Sequence, residues 1–475
     1  LLVTLFIASR WKKTGVATAA EYIGKRFGQK EKQFYTYMTL LLSLFTTAAV
    51  LYPVGKMVHV AADLPVNLCI VIIGLIIILY TAAGGLWAVL VTDVVQFVIL
   101  SAAVVIVIPI AFSEIGGFQT LVREAPKDFF KPFNEEYTVG FMLAFIVYQT
   151  FYLGGNWSYV QRYTSVGSAK ESKKVSGIFS ILYFICPLIW MLPPMIYRII
   201  NPNLGGLEVE DAYMMLIQKV MPAGLIGLVL AGMVSATSSK ANTTINMAAT
   251  VFAQDIYKNL IRPEASEKSV ITVARLFTLI FGIGTILIAM WIPSAGGIVN
   301  VVLSTASIAG GALFAPIIWS LFSKRQTGFS VICATIISLF VNLFLKTIAP
   351  GVLGLKLNLT METTFGMGIP ILILTTFELY YLSTGQVAQY VLVPMTVKTN
   401  NCITQNFDIR NADTEQQNRF GIRVIAASMA VVGIGIMILG ALTSQFSYMV
   451  MTVGLAVLII AGFIANLTRN KKFNT

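Results

Sequence analysis

Charged residues are scarce in this chain. Asp, Glu, Lys and Arg make up 11% of its 475 residues, whereas a soluble globular protein carries about 25%. Hydrophobic residues make up 57% of the chain, and the mean hydropathy is +0.80. A water-soluble fold cannot bury that much apolar surface, because its own exterior must be polar. The composition therefore excludes an ordinary cytosolic enzyme and indicates a membrane protein.

Side chains that hold metals or carry out redox chemistry are also few. The chain has four cysteines without CxxC spacing, and His59 is its one histidine, which excludes the usual zinc sites and disulfide frameworks. It contains no G-x-x-x-x-G-K-[ST] motif, so nothing indicates an ATP-driven pump. It also has no nucleophile–base motif. The sequence therefore predicts no enzyme activity and no cofactor, with Na⁺ left open as a coupling ion.

Long apolar segments are what the chain has in abundance. A transmembrane helix needs about 20 apolar residues, and lipid requires each span to be helical. Twelve complete segments are predicted at 34–56, 66–83, 87–112, 137–155, 175–200, 223–250, 269–292, 297–322, 328–345, 365–383, 424–444 and 446–467. Residues 1–8 resemble the end of a helix whose beginning would precede Leu1. We expect an all-α polytopic membrane protein of about twelve complete transmembrane helices plus this N-terminal remnant.

The basic residues predict the orientation. When the loops are assigned alternately to the two sides, one side receives 23 Lys and Arg and the other eight, including Lys56. Cytoplasmic loops hold the excess of positive charge, so the basic loops and the C-terminal tail are predicted to be cytoplasmic, in a plasma (inner) membrane. Topology thus accounts for the net charge of +12 without a nucleic-acid partner. We expect one transmembrane domain over residues 1–467 and a tail at 468–475.

Two charged residues lie inside predicted spans, where charge is costly and often functional. Asp93 either has an ionic role or is an interfacial residue bonded to backbone. Lys240 faces a polar cavity or an anion, unless its side chain extends to the membrane surface. Polar residues near Lys240 recur at helical spacing, namely Ser239, Asn242, Thr243 and Asn246. This stripe either bonds neighbouring helices or lines an ion path, since hard cations prefer oxygen ligands.

A third cluster surrounds Gly154-Gly155, with Gln149, Tyr152 and Asn156 close by. Aromatic and amide groups beside a helix break can bind a polar solute, and secondary transporters place substrate at broken helices. The alternative is an aromatic belt at the membrane surface, where tyrosine and tryptophan are enriched.

Four motifs resemble those of the sodium:solute symporter family, in the same order. They are residues 15–28 (GVATAAEYIGKRFG), residues 80–86 with Thr92-Asp93 and Gln96, Asn156 with Val160-Gln161-Arg162, and Leu230-Ala231-Gly232 followed by Asp255-Ile256-Tyr257. The resemblance covers essentially the whole chain. It implies the leucine-transporter fold, which consists of two inverted five-helix repeats with peripheral helices. It also implies that the first broken helix of the family precedes Leu1.

The resemblance also implies roles for individual residues. The ion site of the family matches Ala236, Ser239 and Lys240, so that a lysine stands where a second hydroxyl would bind sodium. A second ion site in some members matches Asp93, Ser239, Asn242 and Thr243. The gate tyrosine that stacks on sugar matches Tyr152, and a polar sugar contact matches Gln149.

The sequence therefore predicts a secondary transporter that moves a small polar organic solute, with a sugar favoured, by alternating access. Sodium coupling follows from the resemblance. Lys240 raises the alternative of a sodium-independent or proton-coupled carrier in which the lysine replaces the cation. A transporter-like sensor is a further alternative, which would bind the solute without accumulating it. The predicted partners are the solute and the lipid bilayer, and no protein partner is indicated.

Overall fold

A computed structural model describes the backbone of residues 1–475 except 17, 84–85, 136, 355–356, 387–403, 444–445 and 471–475. Within helices, the side chains at 80, 82–83, 86–95, 255, 259–260, 404–420 and 467–470 also lie outside the described part. In the described residues all regular secondary structure is helical, as the sequence predicted.

Twelve long helices coincide with the twelve predicted segments. They are Gln29–Ala62, Val66–Ala83, Leu86–Glu114, Val139–Gly155, Ala169–Trp190, Ala223–Val251, Glu267–Trp291, Gly328–Thr347, Leu359–Ser383, Thr404–Leu442, Ser447–Asn470 and the segment 298–322. Over the described residues, ten are long and apolar enough to cross a membrane, and Val66–Leu79 and Val139–Gly155 are shorter apolar helices.

Shorter elements connect these helices. The α-helical ones are Ala8–Lys13, Ala19–Arg26, Phe118–Glu124, Trp157–Thr164, Leu192–Ile200, Ala212–Val220 and Ala349–Val352. Turns of π-helix occur at Val3–Ile7, Phe252–Ile261 and Ala306–Gly310, and turns of 3₁₀-helix at Gly206–Asp211 and Ile292–Ala295.

The chain divides into two compact units. Unit 1 comprises Leu1–Thr46, Asp128–Pro187 and Ser294–Thr396, and unit 2 comprises Thr47–Lys127, Leu188–Pro293 and Val397–Thr475. Each has its own apolar core. That of unit 1 includes Trp11, Ile23, Trp157, Val160, Leu313 and Ile317. That of unit 2 includes Ile106, Ile110, Met214, Ile217, Leu225 and Ile436.

A proline in unit 1 shows how the fold satisfies backbone groups. Pro316 lies inside the helix Gly311–Phe322, and a proline has no N–H to donate to the carbonyl four residues earlier. That carbonyl belongs to Ala312, and it accepts a hydrogen bond from the Thr335 hydroxyl at 3.0 Å instead. Thr335 is fully buried. A polar side chain of a neighbouring helix thus replaces the missing donor, as membrane helices with internal prolines require.

Candidate functional site

The predicted helix break near Gly154-Gly155 is present, and it falls at Asn156. The helix Val139–Gly155 ends there and Trp157–Thr164 begins, with Asn156 extended between them at φ −66° and ψ 130°. The Asn156 side chain accepts a hydrogen bond from the Ser158 backbone N–H at 3.1 Å. Asn156 is therefore the N-cap of the second segment, a position that favours asparagine. We call these two segments together the broken helix.

The break is held in place by side chains that bond its free carbonyls. The last carbonyls of a helix have no intrahelical donor. At the end of Val139–Gly155, the Trp11 indole N–H donates to the Gly154 carbonyl at 2.7 Å, and the Tyr163 hydroxyl donates to the Leu153 carbonyl at 3.1 Å. Gly154 also lies close to Ile7, since a Cβ at this glycine would come within 2.8 Å of the Ile7 side chain. The two glycines allow close packing, and the break follows them.

Tyr152 lies on the last turn before the break and is half-buried. Its ring centroid is 5.5 Å from that of Phe314 in an edge-on arrangement, 5.8 Å from Tyr148 and 6.1 Å from Tyr159. In the described part of the chain the Tyr152 hydroxyl has no hydrogen-bond partner. Gln149 is also half-buried, and it lies three residues earlier on the same helix. Residues at this spacing are neighbours on a helix surface, so the fold brings Gln149 and Tyr152 together.

The sequence reasoning considered only residues 149–157 and so missed an extended aromatic row. Successive ring centroids along this row are 5.4–6.1 Å apart. The row consists of Phe141, Phe145, Tyr148, Tyr152, Tyr159, Phe179 and Tyr183. The first four recur every three or four residues, which is the spacing of one helix face. That periodicity could have revealed the row without a structure.

The other predicted site residues lie on the helix Ala223–Val251 of unit 2. Ala236 and Ser239 are half-buried, Asn242 is 3% exposed, and Lys240 and Thr243 are exposed. The Thr243 hydroxyl donates to the Ser239 carbonyl at 3.0 Å. The Asn242 amide nitrogen is buried and has no partner among the described residues.

Asp93 belongs to the helix Leu86–Glu114 of the same unit, but its side chain lies outside the described residues. Lys240 takes part in an interaction of its own.

Ion chemistry in the polar stripe depends on oxygen atoms. The described residues contain no group of three or more His, Cys, Asp or Glu that could hold a metal. Sodium does not need such a group, because hydroxyl and carbonyl oxygens suit hard cations. The Ala236 carbonyl and the Ser239 hydroxyl fit that chemistry, whereas the Lys240 ammonium donates hydrogen bonds and accepts none.

A buried charge cluster in unit 2 was also missed. The Lys56 ammonium, in a residue 6% exposed, lies 2.9 Å from Asp211 Oδ2 and 3.5 Å from Glu210 Oε2, and donates to the Leu207 carbonyl at 2.7 Å. The Tyr52 hydroxyl donates to Glu210 at 3.2 Å. Burial raises the pKa of the Asp211 carboxyl, and the adjacent Lys56 ammonium limits that rise. Lys56 was counted from the sequence only as a loop charge, since its partners lie about 150 residues away.

Comparisons with known proteins identify the family. The family model of the sodium:solute symporter family matches residues 1–338. The sodium/mannose cotransporter of Bos taurus is 30% identical over 59% of this chain and 53% of its own length. The sodium/glucose cotransporter 1 of Mus musculus is 29% identical over 66% of this chain and 54% of its own length. The chain thus spans about half the length of these relatives.

A bacterial relative is covered more fully. The sodium/sialic acid symporter SiaT of Proteus mirabilis is 27% identical over 71% of both proteins. A solved structure of a Na⁺-coupled sialic acid symporter in its substrate-bound, outward-open state superposes with a TM-score of 0.66, at 22% identity and over 82% of both chains. This likeness confirms the leucine-transporter-type fold. The family match covers far more than half of the chain, and the chain belongs to the sodium:solute symporter family.

Proposed function

We propose that this protein is a secondary transporter that moves a small polar organic solute, sugar-like in chemistry, by alternating access across the plasma (inner) membrane. The observation that carries this proposal is the break at Asn156, which sets Tyr152 and Gln149 on the turn where family members bind solute. The relatives are named for mannose, glucose and sialic acid, all of which are hydroxyl-bearing ring compounds.

The solute would be held by the broken helix. An aromatic ring offers a flat apolar face to the C–H surface of a sugar, and the Tyr152 ring is fixed by its edge-on contact with Phe314. The Gln149 amide can both donate and accept hydrogen bonds, which suits a solute hydroxyl. Asn156 already caps the second helical segment, so its amide contributes chiefly by holding the break, with one N–H₂ group left to reach the solute.

Sodium is the coupling ion that the family implies. We propose that the Ala236 carbonyl and the Ser239 hydroxyl contribute to one ion site, and that Asp93, Asn242 and Thr243 join Ser239 in a second. The buried Asn242 amide supports a polar role for this helix face. Its carbonyl oxygen can bind a cation, while the unpartnered nitrogen would bind a neighbouring acceptor.

Lys240 favours a second candidate function, a carrier that does not need sodium. Its ammonium replaces the hydroxyl of the first ion site, and a fixed positive charge supplies permanently what a bound cation supplies transiently. If this lysine exchanges its proton during the cycle, transport is coupled to protons; otherwise the protein is a uniporter.

Solute uptake by the full-length protein in proteoliposomes tests both candidates. D-[¹⁴C]glucose, D-mannose and N-acetylneuraminic acid are supplied in sodium or choline buffer at pH 6 and pH 8. Sodium-coupled transport requires accumulation in sodium alone, while the second candidate gives uptake in both buffers. Lys240→Ser should then increase the sodium dependence, and Lys258→Ser, in the segment after this helix, is the control for loss of a lysine. Binding without accumulation would identify a sensor instead and refute transport.

The orientation is part of the proposal. An impermeant thiol reagent should label Asn203→Cys from outside intact cells but not Ser168→Cys, in a background without the native cysteines. The opposite labelling pattern would reverse the proposed topology.

A further inference from the structure

Tyr148 forms one aromatic surface with Tyr152. It lies four residues earlier on the helix Val139–Gly155, so both side chains emerge on the same face. The two ring centroids are 5.8 Å apart and the ring planes differ by 32°. Phe145 extends the surface on the far side of Tyr148, at 5.6 Å and 38°. A solute that stacks on Tyr152 therefore has the Tyr148 ring directly beside it.

The position of the Tyr148 ring depends on Gly310. A Cβ at Gly310 would come within 2.8 Å of Tyr148 Cδ2 and closer still to Cε2, so any larger residue would displace the ring. Gly310 ends the π-helical turn Ala306–Gly310, and such turns are frequent at functional sites. The turn and the glycine together leave the space that the phenol ring occupies.

The Tyr148 hydroxyl differs from other tyrosine hydroxyls of unit 1. Those of Tyr22, Tyr35 and Tyr163 have partners within the chain: Ser320 at 3.1 Å, Thr335 at 2.7 Å and the Leu153 carbonyl at 3.1 Å. Within the described part of the chain the hydroxyl of Tyr148 has none, although the residue is half-buried. Buried tyrosine hydroxyls usually find a partner, and an unbonded one is costly. The hydroxyl oxygen is not fully enclosed either, so an external group can reach it.

From these observations we infer that Tyr148 is a second solute-contacting residue and determines specificity for hydroxyl-bearing rings. Its ring extends the stacking surface of Tyr152, and its hydroxyl bonds one hydroxyl of the solute. This inference rests on the proposed transport function. It assigns a contact to a residue outside the cluster that the sequence resemblance marks.

The test compares Tyr148→Phe with wild type in the proteoliposome assay, using glucose and its 2-, 3-, 4- and 6-deoxy analogues. A single lost hydrogen bond should raise KM for glucose about two- to tenfold, with little change in maximal rate or in Tm, because no bond within the described fold is lost. One deoxy analogue should bind wild type more weakly than glucose does, yet bind the variant no more weakly than glucose. A purely structural role would not produce that pattern.

Two further variants separate position from chemistry. Gly310→Ala should raise KM by displacing the ring while the hydroxyl remains, whereas Gly368→Ala, on an open helix surface of the same unit, should leave KM unchanged. Tyr35→Phe, whose hydroxyl is bonded within the fold, should lower Tm without changing KM.

The outcomes are distinguishable. If wild type takes up none of the sugars in any buffer, the proposed function fails and the inference with it. If wild type transports and Tyr148→Phe has an unchanged KM and an unchanged preference among the deoxy analogues, the inference alone is refuted.

Discussion

The buried cluster around Lys56 makes a large and measurable contribution to stability. Lys56 is 6% exposed and Asp211 is 8% exposed, so neither charge is well solvated. Asp211 Oδ1 already has no partner among the described residues, and Oδ2 depends on the Lys56 ammonium at 2.9 Å. Lys56→Met would leave that carboxylate buried beside Glu210 without a positive neighbour in direct contact. Removing one partner of a buried ion pair costs about 3–5 kcal/mol.

This cost can be followed by thermal unfolding of the detergent-solubilised protein. At about 2 °C per kcal/mol, the value for a domain of about 250 residues, Lys56→Met should lower Tm by about 6–10 °C. Replacing both charges with apolar residues is often nearly neutral. The double variant Lys56→Met/Asp211→Leu should therefore be at least about 2 kcal/mol more stable than the two single costs combined would give.

Acidification provides a second, independent readout. The pKa of the Asp211 carboxyl is raised in the fold, so its favourable contribution to stability is full below the unfolded pKa and is lost as the pH rises through the folded pKa. Without Lys56 this pKa should rise further. The gap in Tm between wild type and Lys56→Met should therefore narrow from pH 8 to pH 5, because the unpaired carboxylate can then take up a proton.

The control is the exposed pair Arg123–Glu124 of the same unit, whose side chains are 77% and 49% exposed. Such surface pairs contribute about 0–1 kcal/mol, so Glu124→Gln should leave Tm within about 1 °C. If Lys56→Met behaved like this control, or if the single costs added fully in the double variant, the cluster would not be a coupled ion pair and the reasoning would be wrong.

Three further predictions concern the membrane helices. Tyr152→Phe should retain most uptake and Tyr152→Ala little, because stacking needs the ring; equal, full uptake by both would remove Tyr152 from the mechanism. We propose that Lys240 and Asp93 pair in at least one transport state, so Asp93→Asn and Lys240→Met should each impair expression or uptake more than the double variant does, and additive losses would argue against pairing. Thr335→Val should lower stability by about 1–3 kcal/mol, measured as Tm, because the Ala312 carbonyl then loses its donor, whereas Thr347→Val on the exposed end of the same helix should have little effect.

The sequence predicted the helices well because a bilayer constrains them strongly. Each span must be apolar, long and helical, so hydropathy alone locates the twelve segments to within several residues. It also indicated the break near Gly154-Gly155. The position of the break at Asn156 depends on more distant contacts, namely the bonds from Trp11 and Tyr163 to carbonyls at the helix end, which no local pattern reveals.

Side-chain partners were much less predictable. The partners of Lys56 are about 150 residues away in sequence, and the Lys56 cluster exists only because the fold buries it. The same holds for Tyr148, whose place beside Tyr152 follows from helical spacing, while its seat on Gly310 depends on a π-helical turn more than 150 residues later. Periodicity predicts which residues share a helix face, but it does not predict what lies opposite that face.

The helical geometry of the polar stripe determines how strongly Lys240 opposes sodium. At about 100° per residue, Lys240 is offset by about 40° from Ala236 and by about 60° from Thr243, so its ammonium begins on the face that would bind the ion. Two unit charges 4 Å apart repel by about 4 kcal/mol at an effective dielectric constant of 20, which weakens binding by about a thousandfold. At 8 Å the repulsion is about 2 kcal/mol, a factor of about 30. A proposed pairing with Asp93 would turn the ammonium away and neutralise it, and sodium coupling would survive. The coupling mode therefore depends on the partner that Lys240 adopts, and the gain in apparent sodium affinity of Lys240→Ser measures it directly.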